Sequence, residues 1–249
     1  MASFLCAILL SVFAPMASAQ SAEELNAAAI SAYRTGDYAT AETLWKSALD
    51  EQLSSVDRAR LCYNLGNTTY RQDRLTDSIA WFTSCVRITP RDSSAWNNLE
   101  FARREAELEP ADRGDLKSTV TRILSAVDRA EAGWMMLICI LGWAIVLVLE
   151  AVQGGSLWRR LSVGGFFVVL LSSAPLVWQL TSHIENPVMI VETPAAALRT
   201  EPGDEHTAVA QTAAGTIVEQ IDELGDWVRL QTEFGERGWA RRSSVFELQ

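Results

Sequence analysis

Apolar residues follow three different patterns along the chain. Residues 22–108 carry them at spacings of three and four, which is typical of amphipathic helices. Residues 133–149 and 161–180 are uncharged and almost wholly apolar. From residue 187 onward, short runs rich in Val, Ile, Thr and Trp are separated by Gly and acidic residues, which predicts strands. The sequence therefore predicts an all-α segment, two long apolar helices and an all-β segment.

The all-α segment contains an internal repeat. Small and aromatic residues occupy the same places in Gly36–Leu49 and Asp73–Val86, which lie 37 residues apart. The pattern of Leu61–Leu65 recurs in Ala95–Leu99 at a spacing of 34. Because a unit of this size cannot bury its apolar face alone, neighbouring units must pack together. The predicted helices are 22–34, 38–51, 56–71, 75–88 and 93–108.

This repeat resembles the tetratricopeptide repeat. The resemblance is carried by Leu65–Gly66, Ala41 with Trp45, Trp96 with Leu99, and Pro90. It implies an all-α domain of antiparallel helix pairs over residues 22–108. The first unit departs from the pattern, with Ala28–Ala29 in place of Leu–Gly. An unrelated helical hairpin domain is the alternative.

Polar and aromatic residues mark one face of the predicted repeat helices. They are Tyr63, Asn67, Tyr70, Arg71, Asn97, Asn98 and Phe101. Asparagine can bond a peptide's donor and acceptor groups at once, and Tyr and Phe add stiff contact area. In the tetratricopeptide family the concave face grips extended peptides, so the resemblance implies a peptide site with Asn67 and Asn98 as its asparagine pair. The alternative is that these residues are only solvated.

Cys62 and Cys85 lie about equally far from the turn predicted near Arg71–Arg74. In an antiparallel helix pair such residues face each other, and an oxidising compartment would allow a disulfide between them. However, Cys85 stands where Ala48 stands in the first unit. A small buried thiol explains that position equally well.

Export and membrane insertion are predicted from the apolar runs. Residues 1–19 end in Ala17-Ser18-Ala19 and are typical of a signal peptide, although the absence of Lys or Arg before the apolar core leaves an uncleaved anchor as the alternative. Residues 133–150 and 161–181 are long enough to cross a bilayer. A buried soluble hairpin is the competing interpretation.

The orientation of the two spans follows from charge. The connecting turn, 151–160, holds Arg159 and Arg160, which the positive-inside rule assigns to the cytoplasm. Both flanking domains are then periplasmic, on a two-pass protein of the bacterial inner membrane. In the linker 109–132, apolar residues recur at helical intervals and form one stripe. We expect this amphipathic helix to lie on the membrane surface or to pack on the repeats, and a simple stalk helix is the alternative.

The last segment, 187–249, predicts a small β-barrel. Its expected strands are 188–191, 207–211, 216–221, 227–231 and 238–240. The runs Ala197–Pro202, Gly225–Leu230 and Gly235–Ala240 resemble a bacterial SH3 domain, in which the first is the strand entering a long loop and the last two are paired strands joined by a tight turn. That resemblance implies Trp227 and Trp239 as ligand-binding residues; a structural role is the alternative.

No catalytic, cofactor or metal site is predicted. His183 and His206 have no sequence partners suggesting a triad or a metal, and phosphate-binding motifs are absent from the sequence. The formal net charge of −10 argues against nucleic acid as a partner. We therefore expect a binding protein rather than an enzyme.

The order of signal peptide, helical repeats, membrane hairpin and SH3 domain resembles the Bacteroides aerotolerance (Bat) family. The resemblance implies a component that works beside von Willebrand factor A-domain membrane proteins and a MoxR-type ATPase. We expect an adaptor that binds proteins through its repeats. The alternative is an envelope or stress sensor whose SH3 domain binds peptidoglycan or a peptide.

Overall fold

The computed structural model describes residues 21–111, 114, 116–181 and 186–249. The predicted signal peptide, 1–19, lies outside the described residues. The chain divides into two compact units, one of Met1–Ala111 with Ile184–Gln249 and the other of Asp112–His183. The first unit therefore combines two parts of the chain that are far apart in sequence.

Three helices of the first unit begin directly after residues that cap them. Asp37, Ser54 and Asp92 each accept a hydrogen bond from a backbone N–H in the following turn, at 3.1, 3.1 and 2.9 Å. The helices are α1 (21–34), α2 (Tyr38–Leu49), α3 (Ser55–Arg71), α4 (Leu75–Ile88) and α5 (Ser93–Glu105). They match the predicted helices, except that α1 and α3 begin one residue early and that α2 and α5 end two and three residues early.

Small residues let α3 and α4 approach closely. A Cβ atom on Gly66 would lie 2.6 Å from the ring of Phe82, so any larger residue would displace that ring. The Ser78 hydroxyl donates to the Gly66 carbonyl at 2.9 Å. These two positions allow the tight antiparallel pairing that the repeat pattern predicted.

An ion-pair network joins α2 to the start of α4. Glu42 contacts Lys46 on its own helix and Arg74 before α4, both at 2.7 Å. Burial raises the pKa of Glu42, but the hydrogen bonds from Arg74 and Lys46 outweigh it, so the pKa falls below its ordinary value. Glu42 therefore stays ionised although its side chain is largely buried.

The C-terminal part of the first unit is a seven-stranded antiparallel sheet in the order β3-β2-β6-β5-β4-β1-β7. Its strands are β1 (Pro187–Ile190), β2 (Ala195–Arg199), β3 (Ala208–Ala213), β4 (Ile217–Leu224), β5 (Trp227–Gln231), β6 (Arg237–Arg241) and β7 (Val245–Glu247). Short β-like runs in the sequence predicted five of these. The SH3 resemblance implied β2, whereas the three residues of β7 were too short to show a pattern.

The sheet has an apolar core of its own and also extends the helical core. Val188, Ile190, Leu198 and Leu230 lie in the first of these cores. Met189 points to the opposite side of β1 and belongs, with Leu248, to the core of the helices. Adjacent residues of one strand therefore serve two different cores.

The C-terminus packs directly on the helices. Phe246 on β7 meets Trp81 of α4 edge to face, with ring centroids 4.7 Å apart. The backbone N–H of Gln249 donates to the Ser84 hydroxyl at 3.1 Å, and Arg58 of α3 donates to the Gln249 side chain at 3.0 Å. The helices and the sheet thus form one packed body.

The second unit contains α6 (Leu116–Ser125), α7 (Arg129–Gln153), α8 (Ser156–Ser172) and α9 (Ala174–Thr181). The segments Arg129–Gln153 and Ser156–Thr181 are long and apolar enough, by length and composition, to cross a membrane. The indole N–H of Trp143 donates to the Ser162 carbonyl at 2.8 Å, and a Cβ on Gly165 would lie 2.5 Å from the Trp143 ring. Close contact at these residues makes α7 and α8 an antiparallel hairpin.

The connection between α7 and α8 is shorter than the predicted turn, 151–160. Only Gly154 and Gly155 separate the helices, and both adopt positive φ angles, of 67° and 100°, that side chains disfavour. Arg159 and Arg160 consequently lie in the first turns of α8 instead of in the loop. The second predicted span is also interrupted at Ser173, shortly before Pro175, which has no N–H to continue the helix.

The contact between Phe246 and Trp81 generates a test of this packing. Phe246→Ala removes buried apolar surface and an aromatic pair, so the free energy of unfolding of the first unit should fall by about 2 kcal/mol. Hydrogen exchange measured by mass spectrometry should accelerate in α4, which Phe246 covers. Phe234→Ala is the matched control, because Phe234 is 90% exposed at the β5–β6 turn. Equal exchange in α4 of both variants would contradict the packing.

Candidate functional site

The two predicted asparagines meet between α3 and α5. The Asn98 amide donates to the Asn67 side-chain oxygen at 3.2 Å and to the Tyr63 hydroxyl at 3.1 Å. All three side chains are half-buried. The contact uses the NH₂ group of Asn98 and the carbonyl oxygen of Asn67. The complementary groups, the Asn98 oxygen and the Asn67 NH₂, are those that match the N–H and C=O of a peptide.

Asn67 also borders a cleft of about 260 Å³ formed by α1, α2 and α3. Its lining residues are Ile30, Tyr33, Arg34, Trp45, Asn64 and Asn67. Trp45 is held in place because its indole N–H donates to the buried Asn26 side chain at 3.0 Å. The cleft therefore offers aromatic walls and two amides.

Sequence reasoning did not find the α1 side of this cleft. Tyr33 and Arg34 belong to the first repeat unit, which departs from the repeat pattern. Comparison with the other repeat units therefore did not indicate them as site residues. Asn64 could have been predicted, because it lies three residues before Asn67 and shares its helix face. That spacing could have added Asn64 to the predicted set.

Three of the four remaining predicted residues, Tyr70, Arg71 and Phe101, extend the same surface. Tyr70 and Phe101 lie edge to face with ring centroids 5.7 Å apart, and the Arg104 guanidinium lies 6.0 Å from the Phe101 ring. Arg71 is exposed, and a hydrogen bond between its side chain and that of Tyr33 raises the pKa of Arg71 above its ordinary value. Asn97 is exposed on α5 and is not among the residues that this cluster brings together.

A second surface lies on the outer face of the sheet. Trp227 pairs with Arg241 and Arg229 pairs with Trp239 across β5 and β6, so these side chains share one face. The residues between them, such as Val228 and Ala240, are fully buried on the other face. The Arg241 guanidinium lies 5.2 Å from the Trp227 ring, within the range of a cation–π contact.

An acidic loop borders this Trp and Arg surface. Asp204 contacts Arg241 and lies 4.0 Å from Arg199, which pairs with Trp239 across β2 and β6. The hydrogen bond from Arg241 lowers the pKa of Asp204. Trp227 and Trp239 are only half-buried. The face thus combines flat aromatic rings with both signs of charge.

Cys62 and Cys85 are free thiols in the helical core. Burial, together with the neighbouring Cys85, raises the pKa of Cys62 to about 12, and burial raises the pKa of Cys85 to about 11. The Cys85 sulfur lies 3.8 Å from the Thr89 hydroxyl. The disulfide predicted as one alternative is not present in this structure, where both thiols are small core side chains.

Comparison with known proteins identifies one part of the chain. Residues 194–246, which include β2 to β6 and most of β7, match the family model of the bacterial SH3 domain. The comparison with curated proteins gives no match. Within the described residues, no group of three or more His, Cys, Asp and Glu side chains is arranged to hold a metal ion.

Buried thiols with raised pKa values should be almost unreactive, because only the thiolate is the nucleophile. At pH 8, N-ethylmaleimide should label Cys62 and Cys85 of the folded protein more than about 100-fold slower than an exposed thiol. The measurement is peptide mass spectrometry over time, with Val56→Cys as the exposed reference, since Val56 is 70% exposed on α3. If both thiols still resist labelling after denaturation without reductant, they are bonded and the free-thiol state is wrong.

Proposed function

We propose that the chain is a membrane-anchored adaptor of the bacterial envelope that binds extended segments of partner proteins along its helical repeats. The observation that carries this proposal is the joining of Asn98, Asn67 and Tyr63 beside an open cleft. Antiparallel pairing of α3 with α4 and the small residues at their contact support assignment of residues 22–108 to tetratricopeptide repeats.

The Asn67–Asn98 pair and the cleft beside it together form a groove, and the chemistry of this groove suits a polypeptide ligand. An extended peptide presents alternating C=O and N–H groups, which paired amides can bind without reading the sequence. Tyr33, Tyr70 and Phe101 would supply contact area to side chains at little entropic cost. Arg34 and Arg71 at the edge of the cleft would favour acidic segments. Binding of this kind requires no catalytic step.

We further propose that α7 and the α8–α9 segment cross the inner membrane. Support comes from their length and composition and from Arg159 and Arg160 near the hairpin end. The positive-inside rule would keep that end in the cytoplasm. The helical segment and the SH3 domain would then both be periplasmic, as the predicted signal peptide also requires.

The resemblance to the Bat family narrows the class of partner. A protein similar to BatE would work with von Willebrand factor A-domain membrane proteins and a MoxR-type ATPase. Support comes from the order of the preceding helices, the membrane-length hairpin and the matched SH3 domain, which is the order that the resemblance requires. An extended periplasmic segment of such a membrane protein is the ligand we propose.

A second candidate function rests on the SH3 domain. Its match and its face of Arg side chains and half-buried Trp rings favour binding of peptidoglycan or a peptide, which would make the chain an envelope or stress sensor. Purified wall fragments distinguish the two functions. Their capture by the intact chain, and its loss in Trp239→Ala, would favour the sensor.

The asparagine pair gives the direct test of the adaptor. Asn67→Ala with Asn98→Ala leaves peptide groups unpaired at about 1 to 3 kcal/mol each, so crosslinked partner recovered from native membranes should fall at least about five-fold. Asn97→Ala is the matched control, because Asn97 is exposed on the same helix as Asn98. If the double variant recovers as much partner as the control while remaining folded, the groove does not bind it.

Membrane topology is tested separately. In intact spheroplasts an impermeant thiol reagent should label Asp57→Cys in the repeats and Glu236→Cys in the SH3 domain. Gln153→Cys, at the hairpin end of α7, should be labelled only after permeabilisation, because Arg159 and Arg160 retain that end in the cytoplasm. Protection of either of the first two sites in spheroplasts would overturn the proposed orientation.

A further inference from the structure

Helix α6 exposes a stripe of apolar side chains. Leu116, Val120 and Ile123 are 81%, 39% and 60% exposed. Their spacing of four and three residues places them on one helix face. Leu124 and Val127, which continue the apolar pattern, are half-buried. The helix thus buries one edge of its apolar surface and leaves the rest open.

The position of α6 beside the hairpin is fixed by specific contacts. It packs against α9, the last helix of the second unit. Directly after α6, the Val127 carbonyl accepts a hydrogen bond from the Gln179 side chain of α9 at 2.7 Å. Asp128 and Glu131 then form a capping box that starts α7. The short link between α6 and α7 is therefore held at the end of the hairpin where α7 begins and α9 finishes.

The apolar stripe is close to the exposed apolar surface of the membrane-length helices. At this end of the hairpin, α7 exposes Trp134 and Met135, and α9 exposes Val177 and Leu180. The proposed function places these four side chains against lipid. A bilayer that covers them ends at the level of α6, where the interface region begins.

The charge of α6 suits the headgroups of a bacterial membrane. Its sequence contains two charged residues, Lys117 and Arg122, and both are basic. Helices with a basic polar side and an apolar stripe bind in the plane of anionic membrane surfaces. If a protein covered the stripe instead, α6 would have no need to be basic or to lie at the end of the hairpin.

We propose that α6 lies in the periplasmic headgroup layer of the bilayer that the hairpin spans, with Leu116, Val120 and Ile123 inserted toward the acyl chains of anionic lipid. The inference rests on the membrane hairpin of the proposed function and extends it. Because only three residues separate α6 from α7, an anchored α6 would restrain the chain where it leaves the membrane toward the repeats.

The experiment measures the depth of nitroxide labels in the full chain, reconstituted in vesicles of phosphatidylethanolamine and phosphatidylglycerol. The four native cysteines are replaced by alanine, and single labels are attached at Leu116→Cys, Val120→Cys and Ile123→Cys. Collision with oxygen should exceed collision with an aqueous nickel complex at all three sites. The depth should be about 5 to 10 Å below the phosphates. Arg122→Cys is the matched control, because Arg122 is exposed and lies two residues from Val120, off the stripe.

Two results would overturn the inference. If the three stripe labels collide with nickel as often as the Arg122 label, α6 lies in water. If they are shielded from both oxygen and nickel, a protein surface covers the stripe. Labels at Ile145→Cys and Leu170→Cys, on exposed faces of α7 and α8, distinguish a wrong position of α6 from failure of the hairpin to cross the membrane. Those labels must be lipid-exposed if the hairpin crosses the membrane, whatever the stripe does.

Discussion

The burial of α4 on every side is the constraint on which the first unit depends. Every residue from Ser78 to Val86 is buried, so this helix needs a neighbour against each of its faces. Helices α3 and α5 supply two of them, and β7 with the C-terminus supplies another. Its polar side chains are compatible with this burial because Ser78 bonds the Gly66 carbonyl and Ser84 accepts from Gln249.

This central helix connects the two candidate recognition surfaces. The groove residues Asn67 and Asn98 lie on α3 and α5, which both pack against α4. The SH3 domain packs against α4 through Phe246. The helices that carry the two asparagines and the sheet therefore pack against the same helix. A rigid groove favours binding of an extended ligand, since less order is lost on association.

The division of labour between the two units follows from composition. In the first unit, amides, aromatic rings and arginines sit on the surface of a body with two apolar cores. In the second, large apolar side chains cover the outside of α7 and α8, while contacts such as Trp143 to Ser162 hold the helices together. Apolar residues therefore face inward in the unit proposed to bind partners and outward in the unit proposed to anchor it.

The sequence by itself determined the elements that local pattern controls. Apolar spacing predicted α1 to α5, uncharged length predicted the membrane-length helices, and the SH3 resemblance implied the β5–β6 hairpin. The repeat alignment also brought Asn67 and Asn98 to one face. Only the tertiary structure decided that α4 is buried on all sides and that Tyr33 and Asn64 line the cleft. The physical reason is distance along the chain: Gln249 and Ser84 are 165 residues apart, and no periodicity encodes such a contact.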